Sequence, residues 1–131
     1  MYALDSNVII HAFQGKGRVA ERLSRVSPHE IAIPTVVLYE VEQGVLRSHN
    51  SAKRRKQLVE LASVAMLLPF DDESARVAAR LQVDLQRQGL RIGDLDTLIA
   101  ATAVAAGVTL VTHNTREFSR VKGLRLEDWF D

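Results

Sequence analysis

The chain contains no cysteine among its 131 residues. This absence excludes a disulfide scaffold, a zinc site built on cysteine and catalysis through a thiolate. No apolar run approaches the roughly 18 residues that a membrane-spanning helix needs. The N-terminal sequence MYALDSNVII also lacks the basic and apolar regions of a secretory signal. Together these absences favour a protein of the reducing cytoplasm with no membrane segment.

Glycine-rich phosphate loops are absent too, which argues against nucleotide hydrolysis on such a loop. The 17 basic and 16 acidic side chains give a formal net charge of +1, so bulk charge alone does not indicate nucleic-acid binding. The length and the 47% of hydrophobic residues are typical of one folded domain. We therefore expect residues 1–131 to form a single domain whose function depends on local groups of side chains.

Short apolar segments alternate with amphipathic segments along the whole chain. This alternation predicts an α/β domain with a mainly parallel sheet that is covered by helices on both faces. Ligands bind outside the carboxyl ends of strands in such sheets, so Asp5 and the segment after Thr112 are expected at the functional edge. Predicted strands are 2–4, 31–33, 65–69, 108–112 and 125–126, and predicted helices begin near Val8, Arg18, Thr35 (as N-cap), Lys53, Asp72, Gly93 and Thr115.

Four acidic residues stand apart because their surroundings are apolar or helix-initiating: Asp5, Glu40, Asp96 and Glu117. Charged carboxylates rarely occupy such positions unless they are paired or bind a cation. A site made only of carboxylates favours Mg²⁺ or Mn²⁺ over zinc. Spacing alone leaves simpler roles open, with Asp5 as a helix N-cap and Glu40 as a solvated helix residue.

Each of these acids belongs to a distinct segment, and the four segments follow one another as 4–10 (LDSNVII), 33–40 (IPTVVLYE), 92–101 (IGDLDTLIAA) and 110–118 (LVTHNTREF). In this order and at these intervals they resemble the PIN-domain ribonucleases and, among them, the VapC toxins of toxin–antitoxin pairs. The resemblance covers essentially the whole chain. It implies a PIN-like three-layer sandwich that hydrolyses RNA phosphodiester bonds with Mg²⁺ or Mn²⁺. The implied metal ligands are Asp5, Glu40 and Asp96, and Glu117 completes the catalytic set.

The third segment holds two candidate ligands, Asp94 and Asp96. Side chains two positions apart on a helix point roughly 200° apart, so the two are not expected to face the same site. We expect Asp94 to be the N-cap, accepting from the amide of Asp96 or Thr97. This arrangement leaves Asp96 free to face the metal, and the family pattern isoleucine-glycine-two residues-aspartate also falls on Asp96.

The fourth segment departs from the commonest family pattern, which has an aspartate where this chain has Asn114. Members with the NTREF form use the glutamate instead, here Glu117. The alternative is that Glu117 is a solvated helix residue paired with Arg116 or Arg120. Both of these arginines, with Arg91, lie around the two late acidic segments, where positive charge would help to hold RNA beside the carboxylates.

Polar side chains near the acids are candidates for orienting them. Ser6, Asn7 and Thr112 are placed to donate to the carboxylates, although capping and strand-end hydrogen bonds explain them equally well. The basic run 53–56 (KRRK) is either a solvated helix end or a phosphate contact. The four histidines lack metal-ligand spacing and are expected to be solvated or to cap helices. His113 is the exception, because it adjoins the fourth segment and could contact phosphate.

Partners follow from the resemblance as well. It implies a small VapB-like antitoxin that covers the acidic pocket, a homodimer and an RNA substrate cut to leave 5′-phosphate and 3′-hydroxyl ends. The segments 121–125 (VKGLR) and 127–129 (EDW) resemble the subgroup that cleaves initiator tRNA. Three alternatives remain. The first is a PIN-fold RNA- or protein-binding module with little catalysis, which Asn114 favours. The other two are a housekeeping RNA-processing nuclease and a regulator phosphorylated on Asp5.

Overall fold

A computed structural model describes residues 1–131. Its centre is one five-stranded sheet in which every neighbouring pair of strands is parallel. In chain order the strands are β1 (Tyr2–Leu4), β2 (Ile31–Pro34), β3 (Met66–Leu68), β4 (Thr109–Val111) and β5 (Leu126–Glu127). The helices are α1 (Ser6–Gln14), α2 (Val19–Ser24), α3 (Thr35–Arg47), α4 (Ser51–Val64), α5 (Asp72–Gln88), α6 (Asp94–Ala106) and α7 (Thr115–Phe118).

The central strands are buried on both faces. Successive residues of a strand point to opposite faces, yet Ala32 and Ile33 of β2 and Leu110 and Val111 of β4 are all 0% exposed. Both faces of the sheet must therefore be covered, which is the usual arrangement in parallel sheets. The predicted α/β sandwich is confirmed, and the sheet is wholly rather than mainly parallel.

The strand order β3-β2-β1-β4-β5 reverses direction between β1 and β4. Such a reversal opens a crevice at the carboxyl ends of the two strands, and ligands of open α/β sheets bind there. Asp5 directly follows β1 and Thr112 directly follows β4. The register pairs Leu4 with Val111, so the two following residues leave the sheet side by side.

Some predicted element ends need correction. Thr35 is not the N-cap of α3, because Pro34 occupies that position and the Thr35 hydroxyl accepts from the backbone amide of Phe70 at 3.2 Å instead. Helix α4 begins at Ser51 rather than at Lys53, and β3 is two residues shorter than predicted. Helices α5 and α6 end at Gly89 and Gly107, both in the left-handed conformation that favours glycine. None of the helices has the length and apolarity needed to cross a bilayer.

Candidate active site

Asp5 is fixed from three directions at the carboxyl edge of the sheet. Its backbone amide donates to the carbonyl of Val111 at 2.9 Å, Oδ1 accepts from the amide of Ser6 at 2.8 Å and Oδ2 accepts from the hydroxyl of Thr112 at 2.7 Å. The side chain is only 3% exposed. Burial raises the pKa of Asp5, and the two hydrogen bonds lower it in part. Asp5 is therefore both the N-cap of α1 and a buried acid of fixed orientation.

Glu40 of α3 is half-buried and has one carboxylate oxygen shielded from solvent. Its Oε1 atom is buried and has no hydrogen-bond partner. Burial raises the pKa of Glu40 most, the Ser6 hydroxyl lowers it and the charge of Asp5 raises it further. An unsatisfied buried acceptor costs about 1–3 kcal/mol, so this oxygen is poised to receive a proton or a cation. The simple alternative of a solvated helix residue does not fit this environment.

Asp96 lies in the first turn of α6, half-buried, with its carboxylate folded over Gly93. A Cβ atom at Gly93 would stand 3.2 Å from Asp96 Oδ2, closer than an ordinary van der Waals contact. Burial, followed by the charges of the other three acids, raises the pKa of Asp96 to about 6. The acids responsible are Asp5, Glu40 and Glu117. The four predicted acids therefore lie close together, and we call this group of carboxylates the acidic pocket.

Asp94 does not have the capping role expected for it. The N-cap of α6 is Gly93, and Asp94 is the first helical residue. Its side chain is exposed and forms an ion pair with Arg91 at 3.2 Å. The helix begins one residue earlier than predicted, so Asp94 faces Arg91 at the surface while Asp96 faces the other acids.

Asn114 and Glu117 are connected to each other rather than competing for one position. The side-chain amide of Asn114 donates to Glu117 Oε2 at 3.3 Å, and its backbone amide donates to the Thr112 hydroxyl at 3.0 Å. Glu117 forms no ion pair with Arg116 or Arg120, contrary to the alternative considered from sequence. Asn114 thus supplies no carboxylate itself but orients that of Glu117.

The Thr112 hydroxyl joins two of the acidic segments, since it donates to Asp5 and accepts from Asn114. Asn7 acts on the same turn through its side-chain oxygen, which accepts from the backbone amide of His113 at 3.3 Å. Ser6 contributes its backbone amide to Asp5, and its hydroxyl lies close enough to Glu40 to lower the pKa of that carboxyl. All three polar side chains singled out in the sequence therefore lie at the pocket.

The acid set fits a divalent cation by its chemistry. No three acidic or histidine side chains are spaced as ligands of a single ion in this structure, and the charges of the other acids act unfavourably on ionised Asp96. A cation would remove this repulsion and satisfy the unpartnered oxygen of Glu40. Because all the available donors are oxygens, the pocket suits a hard ion such as Mg²⁺ or Mn²⁺.

The basic side chains near the pocket differ in whether they already bind other groups of the protein. Arg120 donates to the backbone carbonyl of Arg91 at 3.0 Å, and Arg91 is paired with Asp94, so both are partly engaged within the protein. Arg116 is exposed, and its side chain makes no hydrogen bond or ion pair. Of the three predicted RNA contacts, Arg116 is the one whose guanidinium remains free for phosphate.

The basic run 53–56 is only partly a solvated helix end. Arg54 donates to the backbone carbonyl of Phe13 at 2.9 Å, and Arg55 forms an ion pair with Glu42 at 2.6 Å. Lys53 and Lys56 are exposed. Two of the four charges thus help to pack α4 against its neighbours.

A further group near the pocket has no counterpart in the sequence-based prediction. The rings of His11 and His113 lie 5.6 Å apart and both contact Phe130, so neither histidine has the purely solvated or capping role expected from sequence. Asp128 joins this group through His113. Nothing in the spacing of positions 11, 113, 128 and 130 signals their contact, because it depends on β5 pairing with β4.

Comparisons with known proteins find relatives over nearly the whole chain. The family model described as PIN domain matches residues 2–124. The chain is 31% identical over 128 residues to the tRNA(fMet)-specific endonuclease VapC of Shigella flexneri, covering 98% of this chain and 97% of that protein. It is 32% identical over 131 residues to ribonuclease VapC2 of Rickettsia felis, covering 98% of both chains.

Solved structures give the same result. The VapBC2 complex of Rickettsia felis bound to a promoter DNA fragment contains a chain that matches with a TM-score of 0.89 at 32% identity, covering 98% of both chains. The DNA-bound VapBC complex of Salmonella typhimurium matches with a TM-score of 0.87 at 28% identity, covering 98% of this chain and 97% of that chain.

Proposed function

The chain belongs to the PIN-domain family and, within it, to the VapC proteins, and from this premise we propose that it is a divalent-metal-dependent endoribonuclease, the toxin of a toxin–antitoxin pair. The observation that carries the proposal is the pocket of four acids at the β1–β4 crevice. Burial and mutual repulsion raise the pKa of Asp96 to about 6. The ionised carboxylates are therefore unfavourable on their own, and a bound cation would stabilise them.

Asp5, Glu40 and Asp96 hold the Mg²⁺ or Mn²⁺ in this proposal. When bound, such an ion would polarise a scissile phosphate and lower the pKa of a water molecule, which could then lose a proton and attack the phosphorus. The Thr112 hydroxyl fixes the orientation of Asp5, and Asn114 fixes that of Glu117. Glu117 completes the acid set, and the free guanidinium of Arg116 offers charge to the RNA backbone.

We propose initiator tRNA as the substrate. The relative in Shigella flexneri is named a tRNA(fMet)-specific endonuclease, and so is a second one in Salmonella typhimurium that is 27% identical. Both matches cover 98% of this chain, so the proposal rests on likeness over nearly its whole length. Cleavage is proposed to leave a 5′-phosphate and a 3′-hydroxyl, as the family resemblance implies.

The proposed partners are a VapB-like antitoxin and a second copy of the same chain. Relatives in the solved structures are VapBC complexes. The pocket gives an antitoxin a clear electrostatic target, since a basic side chain placed among four acids would relieve their repulsion as a metal ion does. Inhibition by such a segment would then compete directly with the metal.

Mapping of RNA ends after brief induced expression tests the activity and the substrate together. Expression without antitoxin should arrest growth and produce new 5′-phosphate ends concentrated in initiator tRNA. Asp5→Asn, which preserves the shape of the N-cap, should abolish both effects. New ends at the same level with the Asp5→Asn chain would contradict the assignment of the site, and ends dispersed over other RNAs would contradict the substrate.

A binding module with little catalysis is the second candidate, and Asn114 is the feature that favours it. RNA that is retained by the purified protein without new ends would support that candidate. The amide of Asn114 donates to Glu117, however, so the pocket still has four carboxylates and the nuclease is the better proposal. Cleavage without growth arrest would instead support a housekeeping RNA-processing role.

A further inference from the structure

Four side chains beside the acidic pocket form a group that we call the C-terminal clasp: His11, His113, Asp128 and Phe130. The ring of His113 stacks on that of Phe130, with centroids 4.3 Å apart and planes 20° apart. His11 packs edge-on against Phe130 at 5.0 Å. Aromatic contacts of this kind add stabilisation beyond the area they bury, so the clasp joins the end of α1, the turn after β4 and the C-terminal tail.

One carboxylate connects the tail to the turn. Asp128 Oδ2 lies 3.0 Å from Nδ1 of His113, and Asp128 Oδ1 accepts from the backbone amide of Phe130 at 3.0 Å. The same side chain therefore fixes the direction of the tail and holds the ring that stacks on it.

The tail itself rests on a fixed base. The carbonyl of Phe130 accepts from the backbone amide of Arg18 at 2.7 Å, and Arg22 donates to the carbonyl of Asp128 at 3.1 Å. Gly17 makes this approach possible, because a Cβ atom there would lie 2.6 Å from the carbonyl oxygen of Phe130, and its φ of 61° is one that other residues rarely adopt. The clasp is thus anchored at the start of α2.

The turn that the clasp holds carries two donors of the pocket. His113 lies between Thr112, which donates to Asp5, and Asn114, which donates to Glu117. The backbone amide of Thr112 donates to the carbonyl of Glu127 at 3.0 Å, directly before Asp128. A shift of His113 would therefore displace both donors together.

We propose that Asp128 and Phe130 are positioning residues for the acidic pocket. They hold His113 and so fix the turn 112–114, which keeps the donors of Asp5 and Glu117 in place. This inference rests on the proposed function and extends it to residues outside the four acidic segments. It treats His113 as part of the support for the site rather than as a contact for RNA.

The test compares three single variants of the full chain: Asp128→Ala, Asp128→Asn and Asp131→Ala. Alanine removes both bonds of Asp128, whereas asparagine can still accept from the Phe130 amide and donate to an unprotonated His113. Asp131 is a matched control from the same tail, since it is exposed and its side chain makes no hydrogen bond or ion pair. Two readouts are needed: amide hydrogen exchange at Thr112 and Asn114 without metal, and kcat and KM for RNA cleavage with Mn²⁺.

Asp128→Ala should speed amide exchange at both positions and lower kcat about tenfold with little change in KM, as loss of support for a ligand does. Asp128→Asn should restore most of both values, and Asp131→Ala should match the wild type. Unchanged exchange in Asp128→Ala would overturn the proposal. A rise in KM alone would also overturn it, because it would assign the clasp to RNA binding.

Failure of the proposed function gives a different pattern. If the wild-type protein cleaves no RNA, the nuclease proposal fails whatever the variants do. The exchange rates at Thr112 and Asn114 then decide alone whether the clasp holds the turn.

Discussion

Thr112 is the residue through which two acidic segments, distant in sequence, act as one site. Its side chain is completely buried, and its hydroxyl serves Asp5 as donor and Asn114 as acceptor. Without that hydroxyl, a buried carboxylate oxygen and a backbone amide would both lose their partner. Loss of the hydroxyl should affect activity first, because the orientation of Asp5 depends on its hydrogen bond with Thr112.

Thr112→Val, which keeps the shape and removes the hydroxyl, should lower RNA cleavage by about 10- to 100-fold. It should also lower the free energy of unfolding by about 1–3 kcal/mol. Single-turnover cleavage and urea unfolding measure the two effects. The control is Thr102→Val, since Thr102 is equally buried but donates only to the Leu98 carbonyl of its own helix. Equal losses of activity in both variants would contradict the role of Thr112.

Residue identity alone predicts part of this site. The four acids could be selected from sequence because a charge in an apolar or helix-initiating setting requires a partner. The hydrogen bond between Asn114 and Glu117 could not, because it depends on the way the chain turns after β4. The contact of His11 with His113 has no sequence signal for a similar reason, since it joins α1 to the turn after β4 and both rings also pack on Phe130 of the tail.

Helix α6 directs Asp96 toward the pocket, and the absence of a side chain at its N-cap leaves room for the Asp96 carboxylate. Gly93 is its N-cap, with φ −57° and ψ 149°, a conformation open to any residue. Backbone strain therefore does not require glycine at this position. The Asp96 carboxylate occupies the space in which a side chain would begin.

Gly93→Ala should therefore affect activity more than folding. The new methyl group would push Asp96 by a few tenths of an ångström, and we expect roughly a tenfold loss of cleavage, given that a misplacement of about 1 Å can cost on the order of 100-fold. The loss of unfolding free energy should stay near 1 kcal/mol, the usual cost of alanine at an N-cap.

Gly44→Ala is the matched control for Gly93→Ala. Gly44 lies in α3 one turn after Glu40, and a Cβ atom there would meet nothing within 4 Å. We expect about 0.5–1 kcal/mol of added stability, as for alanine replacing glycine inside a helix, with unchanged cleavage. Loss of cleavage in Gly44→Ala as large as in Gly93→Ala would show that the contact with Asp96 is not the cause.

Elements were easier to predict from sequence than their ends or neighbours. The alternation of short apolar runs with amphipathic segments predicted the five strands and the seven α-helices, because a strand buried on both faces is apolar throughout and a helix buried on one face has a period of 3.6 residues. Helix starts were less certain, as Thr35 and Asp94 demonstrate, because several polar residues can cap a helix and tertiary contacts decide among them. The pairing of β4 with the two-residue strand β5 has no local signal.

The ionised acids of the pocket lower the stability of the whole folded molecule. The pKa values of Asp5, Glu40 and Asp96 are all raised. The folded protein consequently holds more protons than the unfolded chain between the usual pKa of an acid and its raised value. In this window, stability is greater at low pH and falls as pH rises.

For Asp96 the window runs from 3.8 to about 6. The shift corresponds to roughly 3 kcal/mol without screening, and we reduce it to about 1–2 kcal/mol because the side chain is half-exposed. Metal-free protein should lose this stability as pH rises from about 4 to above 6, whereas Asp96→Asn should lose only the part that Asp5 and Glu40 contribute. The difference in urea unfolding between the two chains measures it, and an increase in the relative stability of the wild type over this range would contradict the pocket's electrostatics.

Mn²⁺ should reverse this loss at pH 7, where the acids are ionised. At ten times its dissociation constant, an ion that binds only the folded state adds about 1.4 kcal/mol. The gain should be larger in the wild type than in Asp96→Asn. Equal gains would indicate that the ion binds elsewhere on the protein.

Mn²⁺-dependent cleavage of RNA by Asp96→Asn and Asp94→Asn tests the central claim most directly. The two residues are neighbours on α6, but Asp96 faces the other acids while Asp94 is paired with Arg91 at the surface. Asp96→Asn should lose about 100-fold or more of the rate, since even the loss of a ligand's hydrogen-bond partner costs up to about 100-fold. Asp94→Asn should keep nearly the wild-type rate. Full activity in Asp96→Asn, or equal losses in both, would contradict a metal site formed by Asp5, Glu40 and Asp96.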